Sequence, residues 1–458
     1  MIDGLKPYPD YKESGSRWLG AVPAHWQVRN LRTLITKRTE RERPDLPLLS
    51  VAREKGVFVR SLTDEDENHN VIPEDLTNYK VARTGDLVIN KMKAWQGSMG
   101  IAPCDGIVSP AYFVFDFRIS NHGFGQALLR SKPYVAHFGQ ASDGVRVGQW
   151  DLSIPGMRQI PVLVPDPDEQ AAIVRFLDHA NGRIERAIRA KQKLMALLNE
   201  QKQAIIHRAV TRGLNPNVPL KPSGIPWLGN IPEHWEVKKL RLLFRYAKGS
   251  RAAELTNTYI GRNAGAFPVY SGQTERGGLM GEINWHEFEF DSPVIFVSTV
   301  GARAMSTRLV QGKFSLSQNC ALIIPRTKEA NPVYFESVFQ RLFDYEKATI
   351  SLIMQPSLRF ADLNRFYVPQ PPLPEQILIA ETLTEKIAEL EQIINRTERE
   401  IGLLREYRTR LVADVVTGKL DVRAAARHLP AATTEPETNI AAEDLPEEAE
   451  LEPAEAAE

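Results

Sequence analysis

The sequence predicts an α+β protein in which two globular α/β regions are separated by two long helices that pair with each other within the chain. Three observations predict it. A helix-forming stretch occurs twice, a turn-forming segment occurs twice, and the regions between carry short β-rich runs broken by Gly, Pro and Asn.

The helix-forming stretch starts at Glu169-Gln170, after Val164-Pro165-Asp166-Pro167-Asp168, and ends near Leu214. It starts again at Glu375-Gln376, after Pro369-Gln370-Pro371-Pro372-Leu373-Pro374, and ends near Leu420. The offset of 206 holds from Leu197-Leu198 to Leu403-Leu404, from Thr211 to Thr417 and from Leu214 to Leu420, so the copies align without a gap. In the second copy Leu383, Ile387, Leu390, Ile394, Thr397, Ile401, Leu404, Arg408, Leu411 and Val415 step alternately by four and three. A seam kept that long favours a left-handed supercoil over an ordinary surface helix. The first copy follows the same frame through Ile184, Ile188, Lys191, Met195, Leu198, Lys202, Ile205 and Ala209, with more polar residues. Neither helix buries its seam alone. A second chain in a dimerising coiled coil is one partner; the other copy is the alternative. Equal seam lengths and the high effective concentration of a tethered partner favour the second.

A turn-forming lead-in precedes each globular region. Lys12–Trp26 returns as Lys221–Trp235 at an offset of 209, with Trp18 on Trp227, Pro23 on Pro232, His25 on His234 and Trp26 on Trp235. Basic-apolar runs follow, Val28-Arg29-Asn30-Leu31-Arg32 and Val237-Lys238-Lys239-Leu240-Arg241. Glycine and proline make tight turns, and tryptophan anchors a turn to a core. With one His per repeat and no Cys or second His at ligand spacing, the His-Trp pairs are expected to pack rather than bind metal.

The regions between, about 27–165 and 236–370, match poorly yet have similar lengths. The first has strand-like runs at Gly85–Asn90 and Gly106–Phe115, the second at Ser292–Ser298 and Phe314–Ile324. Short helices are expected near 124–138 and 332–345. The expected division is therefore 1–165, a helical spacer 166–215, 216–370, a second spacer 371–425, and an acidic disordered tail 426–458.

At 458 residues the chain exceeds one core. Its 43% hydrophobic and 25% charged residues are those of an ordinary globular protein. The two cysteines, Cys104 and Cys320, each fall in an expected strand and suggest neither a disulfide framework nor a zinc site. With no spanning apolar run and no signal pattern, the expected location is cytoplasmic. The zero net charge hides an asymmetry: Glu435–Glu458 holds ten acidic residues and no Lys or Arg, leaving 57 basic against 47 acidic residues elsewhere. A basic body suggests a polyanionic partner.

This order of parts resembles the specificity subunit of a type I restriction–modification system across almost the whole chain. The resemblance is carried by Trp18-Leu-Gly…Pro23…His25-Trp26 and its copy at 227–235, by the Pro-rich junctions at 169–170 and 375–376, and by the helices behind them. The run Gly85–Gly97 with Gly106–Tyr112 is similar to one class of target recognition domain in that family. The resemblance implies two target recognition domains, each reading half of a split DNA site, held apart by an antiparallel coiled coil. It also implies double-stranded DNA, two modification (methyltransferase) subunits and up to two restriction/motor subunits as partners. Those partners would use S-adenosylmethionine, ATP and Mg2+; no cofactor is expected in this chain. A helix of about 42 residues is about 60 Å long at 1.5 Å per residue, so readers at its ends would engage DNA one to two turns apart. Unlike globular regions imply an asymmetric site. The rival expectation is a non-catalytic coiled-coil scaffold whose globular domains bind proteins.

Base readout needs forked donors and acceptors, and positioning on phosphates needs cations and hydroxyls. In the first region the densest candidates are Lys91, Lys93, Trp95 and Gln96, then Arg146, Gln149 and Trp150 beside glycines. In the second they are Ser271, Gln273, Thr274 and Arg276, then Arg303, Gln318 and Asn319. A catalytic role is not expected. The chain has neither an Asn/Asp-Pro-Pro-aromatic methyltransferase motif nor a complete Walker A sequence. The nuclease-like letters Pro167-Asp168 and Glu200-Gln201-Lys202 fall on one helix about 48 Å apart by its rise, too far to share one metal ion.

Overall fold

The computed structural model describes residues 5–60, 75–146, 149–272, 275–301, 303–349 and 356–429. The expected disorder of the tail falls almost wholly on residues outside these. By internal contacts the chain forms two units, Met1–Ile188 with Gly402–Glu458, and Arg189–Ile401. Both long helices form as continuous elements, Pro167–Arg212 and Leu373–Val416, and each contributes to both units. Prolines at their starts need no amide partner, which explains why Pro-rich segments lead into them.

The helices run antiparallel. In the first unit Arg408 Nη1 lies 3.0 Å from Glu185 Oε2. In the second, Lys191 Nζ lies 2.5 Å from Glu400 Oε2 and Lys202 Nζ 2.6 Å from Glu391 Oε1. As the number rises along one helix, that of its partner falls. Every seam position read from the heptad pattern is buried or half-buried. The intramolecular antiparallel coiled coil is thus formed, and its polar seam positions Lys191, Lys202 and Arg408 are those that make the interhelical ion pairs.

In the first unit the lead-in is a hairpin of Tyr11–Glu13 and Ala21–Pro23, followed by Gln27–Asn30 paired with Pro161–Val164. Beyond it lies a four-stranded antiparallel sheet in the order Ile35–Lys37, Tyr112–Phe117, Leu87–Asn90, Met99–Ile101. Helices His122–Leu129 and Lys132–Gln140 follow, with Phe124, Leu128, Tyr134 and Phe138 fully buried or nearly so. The run Gly106–Phe115 is two strands, because Ser109-Pro110-Ala111 turns the chain and Pro110 donates nothing to a ladder. Cys104 sits in a bend between strands, not in one.

The second unit repeats the frame. Leu220–Pro222 pairs with Asn230–Pro232, and Glu236–Lys239 with Tyr367–Gln370. What the frame carries differs: a six-stranded sheet ordered Phe244–Ala247, Cys320–Pro325, Phe288–Ser298, Thr307–Leu316, Ala264–Tyr270, Leu279–Ile283. Only the Ala264–Tyr270 pairing with Thr307–Leu316 is parallel. Helix Pro332–Thr349 covers it, burying Tyr334, Phe335, Phe339 and Phe343. The expected strand Phe314–Ile324 is broken at Ser317–Asn319, where Asn319 takes a positive φ of 65°. Asparagine tolerates that left-handed turn, which alternating hydrophobicity does not reveal.

The Glu-Gln steps join these parts. Gln170 is fully buried; its Nε2 donates to the Pro165 carbonyl (2.8 Å) and its Oε1 accepts from the Asn121 amide (3.0 Å). Asn121 caps helix His122–Leu129, so the long helix is pinned to the sheet domain. Gln376 is equally buried and does the same with the Pro371 carbonyl and the Asn331 amide. The glutamates hold the lead-ins. Glu169 Oε1 accepts from the Tyr8 hydroxyl (2.8 Å), and its Oε2 lies 2.8 Å from His25 Nε2. Glu375 Oε2 meets His234 Nε2 at 2.8 Å and accepts from the Trp235 indole at 3.0 Å.

Candidate nucleic-acid interface

In the first unit two sequence-distant candidate groups form one cluster. Lys91, Lys93, Trp95 and Gln96 occupy the connection between Leu87–Asn90 and Met99–Ile101. Trp150 lies on Gln149–Leu152, paired with Ser142–Arg146. The Trp95 and Trp150 rings stand 5.0 Å apart at 58°. Lys91 Nζ reaches Asp151 Oδ2 at 2.9 Å, while the Lys91 carbonyl accepts from the Leu152 amide at 2.9 Å. Arg146 and Gln149 are opposite each other in backbone register; their side chains lie outside the described residues.

The connection is a tight turn. Ala94–Gln96 forms a single helical turn closed by Gly97 at φ 92°, where a Cβ would come 3.2 Å from Val135. The Met92 amide donates to Asn90 Oδ1 (3.2 Å), the Ser98 amide to the Lys93 carbonyl (3.1 Å), and Trp95 Nε1 to the Met92 carbonyl (3.1 Å). Lys93 stays exposed and so does Met92, at 48%. Met92 was not among the sequence candidates, since a lone Met within a mixed run carries no readable signal of exposure.

In the second unit Ser271, Arg303, Gln318 and Asn319 line one open cleft of about 680 Å³. Ser271 ends the strand Ala264–Tyr270, Arg303 follows Phe288–Ser298, and Gln318-Asn319 form the turn before Cys320–Pro325. Backbone bonds hold these loops together: Ser317 amide to Tyr270 carbonyl (2.8 Å), Thr299 amide to Asn319 carbonyl (2.7 Å). Gln273 and Thr274 lie outside the described residues, as does the Arg276 side chain. Thr256, Asn257, Ser298 and Ser317 join the lining and were not foreseen, being ordinary polar residues in sequence.

Beside this cleft Arg308 is a structural cation. Its guanidinium carbon lies 3.9 Å from the Phe296 ring centroid and 5.3 Å from that of Tyr270, and Nη2 donates to the Ser271 carbonyl (2.8 Å). Burial pushes its pKa below the ordinary value, while that of the nearby Cys320 thiol rises for the same reason. A Cβ on Gly278 would overlap the guanidinium, so the Gly277-Gly278 turn has to be small there.

The two candidate surfaces differ in kind. The first is a turn with an aromatic pair, an exposed thioether and lysines; the second is a concave patch in which hydroxyls, amides and Arg303 stand among Ala252, Ala253, Met280 and Val300. Among the described residues no group of three or more His, Cys, Asp or Glu is placed to hold a metal ion. Among them, too, no helix is long and apolar enough to cross a membrane.

Residues 232–401 match the family model of the type I restriction modification DNA specificity domain. A Mycoplasma pneumoniae protein named as a type I specificity subunit is 39% identical over 79 residues, 17% of this chain and 25% of that protein. The chain thus spans a quarter of that relative. A Methanocaldococcus jannaschii protein named as the specificity subunit of a type I restriction enzyme is 20% identical over 454 residues, 90% of this chain and 98% of its own. Among solved structures, a chain from work on complex assembly and conformational transition of the type I R-M system superposes with a TM-score of 0.65 at 14% identity. That superposition covers 86% of this chain and 98% of the other, a likeness of fold.

Proposed function

We propose that the chain is a specificity subunit of a type I restriction–modification system, in which each unit carries a target recognition domain reading one half of an asymmetric, bipartite DNA site. One observation carries this reading: a repeated frame of lead-in, Glu-Gln step and long helix presents two unlike sheets with unlike polar surfaces. The paired helices set the number of unread base pairs between the halves. They also offer the surface on which two modification subunits dock; the repeat-equivalent Leu197 and Leu403, 53% and 64% exposed, support that role. In this reading the chain does no chemistry. Methyl transfer with S-adenosylmethionine, and ATP-driven cleavage where motor subunits are present, belong to the partners.

The test is an exchange of residues 27–165 for the corresponding region of another specificity subunit, followed by single-base methylation mapping in the host. One half of the site changes, while the other half and the spacer stay. Binding of the modification complex to duplex DNA with no sequence preference would refute the reading, because only the salt-dependent phosphate attraction would then remain.

A further inference from the structure

We propose that Met92 reads the 5-methyl group of a thymine in the half-site of the first unit, an assignment that rests on the DNA-recognition reading above. The side chain is 48% exposed in a turn that is otherwise locked. Its own amide is bonded to Asn90 Oδ1, and its carbonyl takes the Trp95 indole N–H. Lys91 is tied to Asp151 through its ammonium and to the Leu152 amide through its carbonyl. The backbone polar groups of Met92 are thereby occupied, and what this residue offers a base edge is its thioether side chain. A contact made by that side chain is apolar, and in the major groove the thymine methyl is the apolar group that a base pair presents.

The surroundings fit that task. The Trp95–Trp150 pair backs the turn, so the thioether is presented from a rigid support and little freedom is lost on contact. Exposed Lys93 next to it supplies a cation for the phosphates flanking the groove. Methionine suits a methyl contact, being polarisable and unbranched. The second unit's cleft gathers the hydrogen-bonding groups of Ser271, Gln318, Asn319 and Arg303 around Met280 and Val300.

The experiment uses the full chain with its modification subunits on duplexes that it selects from a randomised pool. Each thymine of the selected site is replaced in turn by deoxyuridine, which removes only the methyl. One replacement in one half weakens binding about fourfold, the worth of one buried methyl, and Met92→Ala abolishes that sensitivity. Met92→Leu retains it. A site in which no deoxyuridine matters, or a sensitivity that Met92→Ala leaves intact, overturns the assignment and leaves the recognition reading standing. A pool from which no sequence is enriched overturns both.

Discussion

Replacing Gln170 or Gln376 by Met keeps the volume of the side chain and removes its amide. In each case a carbonyl in a buried bond and an amide in a part-buried one lose that partner: the Pro165 carbonyl and Asn121 amide, or the Pro371 carbonyl and Asn331 amide. Gln376 Nε2 also reaches the Glu329 carbonyl, but Gln370 Nε2 serves that oxygen as well (3.1 Å), so the count of orphaned groups is the same. A buried backbone group left unpaired costs roughly 1–3 kcal/mol and a part-buried one less, so each substitution costs roughly 1–4 kcal/mol. Because Gln170 lies in the first unit and Gln376 in the second, the losses fall on different units. Urea unfolding followed by hydrogen exchange measures this. Gln170→Met speeds exchange at the start of helix His122–Leu129, Gln376→Met at the start of Pro332–Thr349, each with a lowered midpoint at nearly unchanged slope. A loss below about 1 kcal/mol for both, or exchange that quickens in the wrong unit, would refute the role given to these glutamines.

Gly418→Ala forces a Cβ at φ 77° into the Pro23 ring and is expected to cost about 2–5 kcal/mol in thermal unfolding. Gly213→Ala, whose Cβ would meet the flexible Glu375 carboxylate at 3.1 Å, costs less, about 1–2 kcal/mol. Glu185→Arg or Arg408→Glu alone destabilises slightly, and the double exchange restores a coupling of about 0.2–1 kcal/mol, since both side chains are 40% exposed. Burial raises the Glu336 carboxyl above its ordinary value, against the bonds from Gln340 and Thr307 and the charge of Lys202. A folded pKa above the unfolded one means that this contribution is full below the ordinary glutamate value and is lost as pH rises through the raised one. Glu336→Gln should therefore flatten the fall in unfolding midpoint over that window and leave the rest of the profile unchanged.

The sequence revealed what is periodic or repeated. Both long helices, their seam residues and the duplicated lead-ins were legible because heptad spacing and a constant offset survive in the letters. The meeting of Trp95 with Trp150 was not, since it depends on how a strand pair folds over a turn some fifty residues away. Nor was the sharing of each long helix between two units, which follows from antiparallel pairing and not from composition. In the second unit the candidates Ser271, Arg303, Gln318 and Asn319 were chosen as separate groups; the sheet order brings them to one cleft. Arg308 was not singled out in the sequence, and its stacking on Phe296 makes it part of the wall beside the cleft.

The two frames are alike except in how their lead-ins are held. In the second unit the lead-in continues covalently from the first long helix, and Trp235 donates its indole proton to Glu375. In the first unit the lead-in meets the end of the second long helix without a covalent bond. Lys6 bridges Asp421, Tyr11 donates to the Gly418 carbonyl (3.2 Å), and Arg423 lies over the Tyr8 ring at 5.1 Å. Tyr8 takes the place on Glu169 that a tryptophan holds in the other copy, leaving the buried Trp26 indole N–H without a partner. A clasp thus stands where its twin has a hinge of peptide bonds, and a clasp opens at a finite rate. Fraying of residues 5–11 would free Glu169 for Trp26, so an opened state of the first unit recovers one hydrogen bond that its closed state forgoes, a route the second unit lacks.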